Sequence, residues 1–194
     1  MSLKLITAPT QEPITLGETK DHLRVDSADD DALISVLITA ARQHIDGRDG
    51  WLGRALMTQT WDYALYSFPT TDCLELPLAP VQSITSITYT DTDGASQTFA
   101  SGNYALGADL DWSPRVNLGY DKSWPSTRSI PDAVTVRFVA GYASAADVPA
   151  PIKAAMLMIV GHLYEHRESV VDKQLSEVPR SVDSLLMPYR RTWG

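Results

Sequence analysis

The chain has a single cysteine, Cys73, among its 194 residues. One cysteine cannot form an intrachain disulfide, and its scarcity fits a protein assembled in a reducing cytoplasm. A zinc site built from several cysteines of this chain is excluded for the same reason.

The sequence also lacks a long apolar run. No stretch approaches the roughly 20 apolar residues that cross a bilayer. The apolar part of the N-terminus, "MSLKLITAPTQEPITL", is too short for a signal peptide. We therefore expect no membrane association.

Basic residues are few: 16 Lys and Arg stand against 24 Asp and Glu, so the formal net charge is −8. Sequence-specific DNA binding needs clustered basic side chains, because counterion release supplies most of the affinity. We expect no such binding. An acidic surface can still line a passage through which DNA slides, since like charges repel.

With 44% hydrophobic residues, the composition is that of a globular protein with a core. A first short helix is predicted over about residues 16–24. Thr15 and Glu18 have the spacing of a capping box, in which each side chain bonds to the other residue's backbone.

A second, longer helix is predicted within residues 26–50, with its N-cap at Asp26 or Ser27 and its end at Gly47 and Gly50. Its apolar residues fall into two rows at helical spacing. The first row is Leu33, Leu37 and Ala40, and the second is Ile34, Ile38, Ala41 and Ile45.

From about residue 57 the spacing of the apolar residues changes from a period of 3.6 residues to one of 2 residues, which indicates β-strands. Alternation around Trp61, Tyr63 and Leu65 predicts one strand, and Asp93-Gly94 predicts a hairpin turn. The segments "NYALGADL", "RVNLGY" and "AVTVRFVAGY" are further strand candidates. This part is interpreted as a β-rich insertion.

Helical spacing returns in "VPAPIKAAMLMIVGHLYEHRESVV". A linker is predicted around 171–180, followed by a short helix that Ser181 caps and Pro188 ends.

The fold class predicted is α+β, a bundle of about four helices with an inserted β-rich domain. The predicted divisions are 1–56 for the N-terminal helices, 57–143 for the insertion, 144–170 for the long helix and 171–194 for the linker and C-terminal tail.

The stretch His162-Leu163-Tyr164-Glu165-His166 fits the H-x-x-E-H pattern of inverted zinc peptidases. Two histidines four apart share a helix face and can bind one zinc. A catalytic zinc needs a third protein ligand, and the nominal candidates Asp172 and Glu177 lie in a segment without a clear helical pattern. A polar helix flank explains the pattern more simply, so we predict no metal, no cofactor and no catalytic residue.

Two other functions stay open as hypotheses. The alternative function is a zinc-dependent hydrolase that uses the H-x-x-E-H stretch, and the third hypothesis is a sugar-binding β-domain that presents tryptophans.

The order of these segments resembles the tailed-phage head–tail connector (adaptor, or head-completion) family. The segments that carry the resemblance are "ITLGETKDHLRVDSADDDALISVLITAARQHIDGRDGWLGRALMTQTW", "LPLAPVQSITSITYTDTDG", "WPSTRSIPDAVTVRFVAGY", "VPAPIKAAMLMIVGHLYEHRE" and "SVDSLLMPYRR". Together they cover about residues 13–191.

The resemblance implies a structural protein of a phage, prophage or gene transfer agent, located in the virion at the head–tail junction and assembled in the bacterial cytoplasm. It implies a dodecameric ring under the portal, formed from subunits that are monomeric or already assembled when free. DNA would pass through the ring, and a tail-side head-completion protein would bind to it.

The resemblance also implies that the C-terminal segment binds the portal protein. That segment carries apolar, aromatic and basic side chains of the kinds that dominate interfaces. The alternative is that the segment folds back on its own helices. The residues predicted to contact the portal are Leu185, Leu186, Tyr189, Arg190, Arg191 and Trp193.

Overall fold

The computed structural model describes residues 1–166 and 180–191. The chain divides into two compact units. The β unit comprises Met1–Thr10 and Thr58–Ala143, and the helical unit comprises Gln11–Met57 and Ser144–Gly194. Helices and antiparallel sheets thus occupy separate units, which confirms the predicted α+β class.

The β unit contains a five-stranded antiparallel sheet with the strand order β1-β2-β8-β4-β5. Its central strands alternate between buried and less buried residues, as a sheet with one core face requires. In β8 the residues Val134, Val136 and Phe138 are fully buried. The strands are β1 (Ser2–Thr7), β2 (Gln59–Leu65), β4 (Val81–Thr90), β5 (Ser96–Thr98) and β8 (Val134–Ala140).

A second antiparallel sheet has the order β3-β7-β6, formed by Cys73–Glu75, Arg115–Leu118 and Tyr104–Leu106. An aromatic cluster lies in the same unit. The ring of Trp124 stacks on Phe68 with 4.9 Å between centroids and lies 5.4 Å from Phe99. The indole Nε1 of Trp124 donates to the carbonyl of Thr71.

The predicted hairpin is present between β4 and β5. Gly94 has a φ of 93°, in the left-handed region that glycine adopts without a steric penalty. The carboxylate of Asp91 accepts hydrogen bonds from the backbone N–H groups of Asp93 and Ala95 and from the side chain of Gln97. Turn chemistry visible in the sequence therefore determines this hairpin.

Strand β1 was not predicted, because residues 1–10 were assigned to the part containing the N-terminal helices. Ser2–Thr7 instead pairs with β2, with Leu3 opposite Tyr63 and Leu5 opposite Trp61. The pairing partner lies more than fifty residues away, so local periodicity carried no signal for it.

The helical unit contains α1 (Leu16–Leu23), α2 (Asp31–Ile45), α3 (Ala150–Glu165) and α4 (Arg180–Leu186), followed by a 3₁₀ turn over Met187–Tyr189. Each of the other helices packs against α3. Among the described residues, no helix is both long and apolar enough to cross a membrane.

The predicted capping box of α1 is present. The Glu18 backbone N–H donates to Thr15 Oγ1 at 3.1 Å, and the Thr15 backbone N–H donates to Glu18 Oε2 at 2.7 Å. The Thr15 hydroxyl also donates to Glu18 Oε2, at 2.9 Å. The two hydrogen bonds to the charged carboxylate lower the pKa of Glu18, the backbone bond from Thr15 contributing most.

Helix α2 begins later than predicted, since its N-cap residue is Asp30 rather than Asp26 or Ser27. The hydroxyl of Ser27 instead bonds the carboxylate of Asp29, and Asp30 accepts a hydrogen bond from the Tyr164 hydroxyl of α3. One local contact and one contact with a residue distant in sequence therefore accompany the later helix start.

The two apolar rows of α2 have different environments. The second row, Ile34, Ile38, Ala41 and Ile45, is buried. In the first row Leu33 and Leu37 are half-buried and Ala40 is exposed. Only one of the two rows therefore forms core.

Candidate functional site

The candidate site is the C-terminal segment, residues 180–191, which packs on its own helical unit. Helix α4 lies against α3, and Val182 and Leu186, four residues apart on one face, are each 1% exposed. Ser181 lies inside α4, so the prediction that it caps the helix is wrong. The α-helix ends at Leu186, and Pro188 occupies the following 3₁₀ turn.

The end of this segment contacts the loop formed by residues 46–57. The backbone N–H of Arg191 donates to the carbonyl of Leu52 at 2.8 Å. The guanidinium carbon of Arg190 lies 4.7 Å from the centroid of the Trp51 ring, which is the geometry of a cation–π interaction. The described part of the segment is therefore held at both of its ends.

The 46–57 loop is fixed in position because its backbone forms hydrogen bonds with the C-terminus of α2. The backbone N–H groups of Trp51 and Leu52 donate to the carbonyls of His44 and Ile45, which would otherwise lack helical partners. A Cβ at Gly50 would come within 2.3 Å of the Asp46 carbonyl oxygen, so this turn requires glycine.

Arg42 connects α2, the 46–57 loop and the segment before α1. Its Nε lies 2.7 Å from Glu12 and its Nη1 lies 3.1 Å from Asp46, whose other oxygen accepts from the backbone N–H of Leu56. Burial alone would lower the pKa of Arg42, but the hydrogen bonds and charges of Glu12 and Asp46 outweigh it, so the pKa is raised. Arg42 is therefore a permanently charged structural group.

The outward side of the C-terminal segment is partly apolar. Met187 is 60% exposed, Leu185 and Tyr189 are half-buried, and Arg190 is exposed. This side can contact a partner without any movement of the segment.

The predicted portal-contacting residues fall into three environments. Arg190 is exposed, and Leu185, Tyr189 and Arg191 are half-buried. Leu186 is buried in its own unit, so it reaches a partner only if α4 detaches. Trp193, like Asp172 and Glu177, lies outside the described residues.

Trp51 and Leu52, which hold the segment, were not identified from the sequence. The signal was the mostly apolar run "WLGRALM" after Gly50. The periodicity of this run gives no indication of what it packs against.

The H-x-x-E-H stretch ends α3. The rings of His162 and His166 lie 4.4 Å apart, and Nδ1 of His166 is 2.9 Å from the carbonyl oxygen of His162. Glu165 is exposed. Within residues 1–166 and 180–191, no three His, Cys, Asp or Glu side chains are grouped to hold a metal ion.

The four tryptophans that the structure describes do not form a row on a sheet face. In the described part of the chain Trp112 alone is exposed, and it lies in the loop between β6 and β7. Trp61 is buried, and Trp124 belongs to the aromatic cluster. This arrangement does not match a stacking surface for sugars.

Comparison with known proteins identifies the class. The sequence model of the head completion protein family matches residues 12–192. The chain therefore belongs to the head completion protein family, which confirms the resemblance found in the sequence.

Solved structures agree with this assignment. A chain in the neck of an empty gene transfer agent (GTA) particle computed with C6 symmetry is 27% identical, with a TM-score of 0.78. A chain in the virion of a native GTA particle is 26% identical, with a TM-score of 0.77. A chain in the neck of a native GTA particle computed with C12 symmetry shares the fold at 23% identity, with a TM-score of 0.70. Each match covers 100% of this chain and 98% of the other. No match was found among curated proteins.

Proposed function

We propose that this protein is a structural, non-enzymatic head–tail connector subunit of a tailed phage or gene transfer agent. The observation that carries the proposal is the full-length likeness, at 27% identity, to a chain in the neck of a GTA particle. Membership of the head completion protein family supports the same role.

In this proposal the subunits form a twelve-membered ring under the portal, at the head–tail junction of the virion. The similar neck was computed with C6 symmetry, and a cyclic arrangement of a single chain requires repeated contacts between copies. The ring would extend the DNA channel and provide the surface to which a tail-side head-completion protein binds.

The net negative charge of the chain is compatible with a channel through which DNA passes. With a net charge of −8, a ring of these subunits repels DNA phosphates and lets DNA pass without sequence-specific binding. No step in this role requires a cofactor.

The C-terminal segment is the part that we assign to portal binding. Its outward side combines Leu185, Met187 and Tyr189 with the cation of Arg190. Apolar and aromatic side chains next to an arginine are typical of residues that dominate binding energy.

Deletion of the gene tests the connector role. We expect cells that lack the protein to accumulate heads and separate tails, because the surface that joins them is missing. Electron microscopy of the lysate measures this, and expression of the wild-type protein in trans should restore joined particles. Normal numbers of tailed particles after deletion would overturn the proposal.

A further inference from the structure

Helix α2 presents an apolar row to solvent. Val36 is 65% exposed, Ala40 is exposed, and Leu33 and Leu37 are half-buried. Their spacing of three and four residues places them on one side of the helix, over a length of about 10 Å. We call Leu33, Val36, Leu37 and Ala40 the outer row.

The outer row lies in a segment without charge. From Ala32 to Ala41 the sequence "ALISVLITAA" has no Asp, Glu, Lys or Arg, although this helix has a solvent-facing side. A surface helix ordinarily carries charged residues on that side, and a helix that is apolar all round is ordinarily buried. The composition of α2 thus fits a helix that is covered on both sides.

The charged residues that directly flank the uncharged segment, Asp31 and Arg42, form ion pairs within the helical unit. At one end Asp31 lies 2.6 Å from Lys20. At the other end Arg42 is paired with Glu12, which also accepts a hydrogen bond from Thr39. The row itself therefore carries no charge, while the chain as a whole carries a net charge of −8.

We propose that the outer row of α2 is the surface on which a second copy of this chain packs in the ring. Copies of an acidic protein repel one another, so a contact between copies is favoured where the surface is neutral and apolar. This differs from the C-terminal segment, where Arg190 offers a cation to a different partner. The inference rests on the proposed connector function.

The contact is head-to-tail, because a closed ring requires that each copy use one surface toward one neighbour and another toward the next. The outer row therefore packs against a different surface of the neighbouring copy, not against that neighbour's own α2.

Photo-crosslinking in assembled particles directly tests which protein covers the outer row. Val36 is replaced by the photoreactive residue p-benzoyl-L-phenylalanine, and purified particles are irradiated. We expect a crosslinked product of twice the chain mass of 21.3 kDa, with mass spectrometry showing residue 36 joined to a peptide from another region of this same sequence. A crosslink to a different virion protein, or no crosslink, would overturn the inference.

A charge substitution gives the second test. Val36→Glu should fold normally, because the side chain is exposed and glutamate is a good helix former. Burying the new charge between copies should lower the amount of this chain per particle by about tenfold or more. The matched control is Tyr120→Glu in the β unit, where the side chain is 92% exposed, and it should leave that amount unchanged. Incorporation of Val36→Glu at the wild-type level would contradict the inference.

These outcomes separate the inference from the proposed function. If purified particles lack the wild-type chain altogether, the connector role fails, and the inference fails with it. If the wild-type chain is present but residue 36 crosslinks to another protein, only the assignment of the outer row fails.

Discussion

At the scale of single residues, Arg42 shows how a buried charge organises the helical unit. Its guanidinium holds Glu12 from the segment before α1 and Asp46 at the start of the 46–57 loop. That loop in turn holds the C-terminal segment. A residue outside the candidate site thus supports the loop on which the site rests.

We predict that Arg42→Met lowers the free energy of unfolding by about 3 kcal/mol, because the carboxylates of Glu12 and Asp46 both lose the guanidinium that they bond. Urea unfolding followed by circular dichroism measures this. Arg137→Met is the matched control: Arg137 also bonds a carboxylate at 2.7 Å, that of Asp62, but its side chain is 43% exposed. The control should lose less stability, and equal losses would show that burial does not determine the effect.

The capping box of α1 makes a second prediction at this scale, one that depends on pH. The pKa of Glu18 is lower in the folded protein than its unfolded value of about 4.3. The stabilisation is therefore complete above the unfolded pKa and is lost as the pH falls through the folded pKa.

Thr15→Ala should cost about 1 kcal/mol near neutral pH. The difference in melting temperature between variant and wild type should shrink as the pH falls below about 4. Thermal unfolding at a series of pH values measures it. A difference that stays constant down to acid pH would show that the hydroxyl of Thr15 does not stabilise the charged carboxylate of Glu18.

At the scale of elements, α4 and the turn that follows it combine two roles. One side of α4 is core, through Val182 and Leu186. The other side, continued by the 3₁₀ turn, is the surface assigned to the portal. Truncation at residue 180 would remove both, so loss of portal binding by the truncated protein would not separate folding from contact.

Substitution of side chains on the outward side of this segment separates loss of contact from loss of folding. We predict that Met187→Ala combined with Tyr189→Ala weakens binding to the portal protein by about tenfold or more, while the contacts that hold the segment on its own unit remain. Co-sedimentation with purified portal measures binding, and circular dichroism checks the fold. Tyr120→Ala, which removes an exposed tyrosine from the other unit, should bind as the wild type does. Unchanged binding by the double variant would contradict the assignment of this segment.

The elements also show where sequence patterns succeed. The capping box of α1 and the turn between β4 and β5 were predicted from residues within a few positions of each other, and both are present. The start of α2 was misplaced because Ser27 bonds Asp29 and because Asp30 bonds Tyr164 of α3. The second of these contacts lies outside any local window.

At the scale of the whole molecule, the chain combines a β unit and a helical unit, each with its own core. The helical unit carries both proposed contact surfaces: the outer row of α2 for a neighbouring copy and the outward side of the C-terminal segment for the portal. The two surfaces differ in charge, which fits two different partners.

The sequence by itself determined the α+β class, most of the helices and strands, and the family, because periodicity, caps and turns are local and the order of segments is distinctive. The tertiary structure decided three other features: the addition of β1 to the sheet, the choice of which row of α2 is buried, and the packing of α4 on its own unit. The physical reason is the same in each case. A pattern of apolar residues shows that a face needs a partner, but only the folded chain determines which partner covers it.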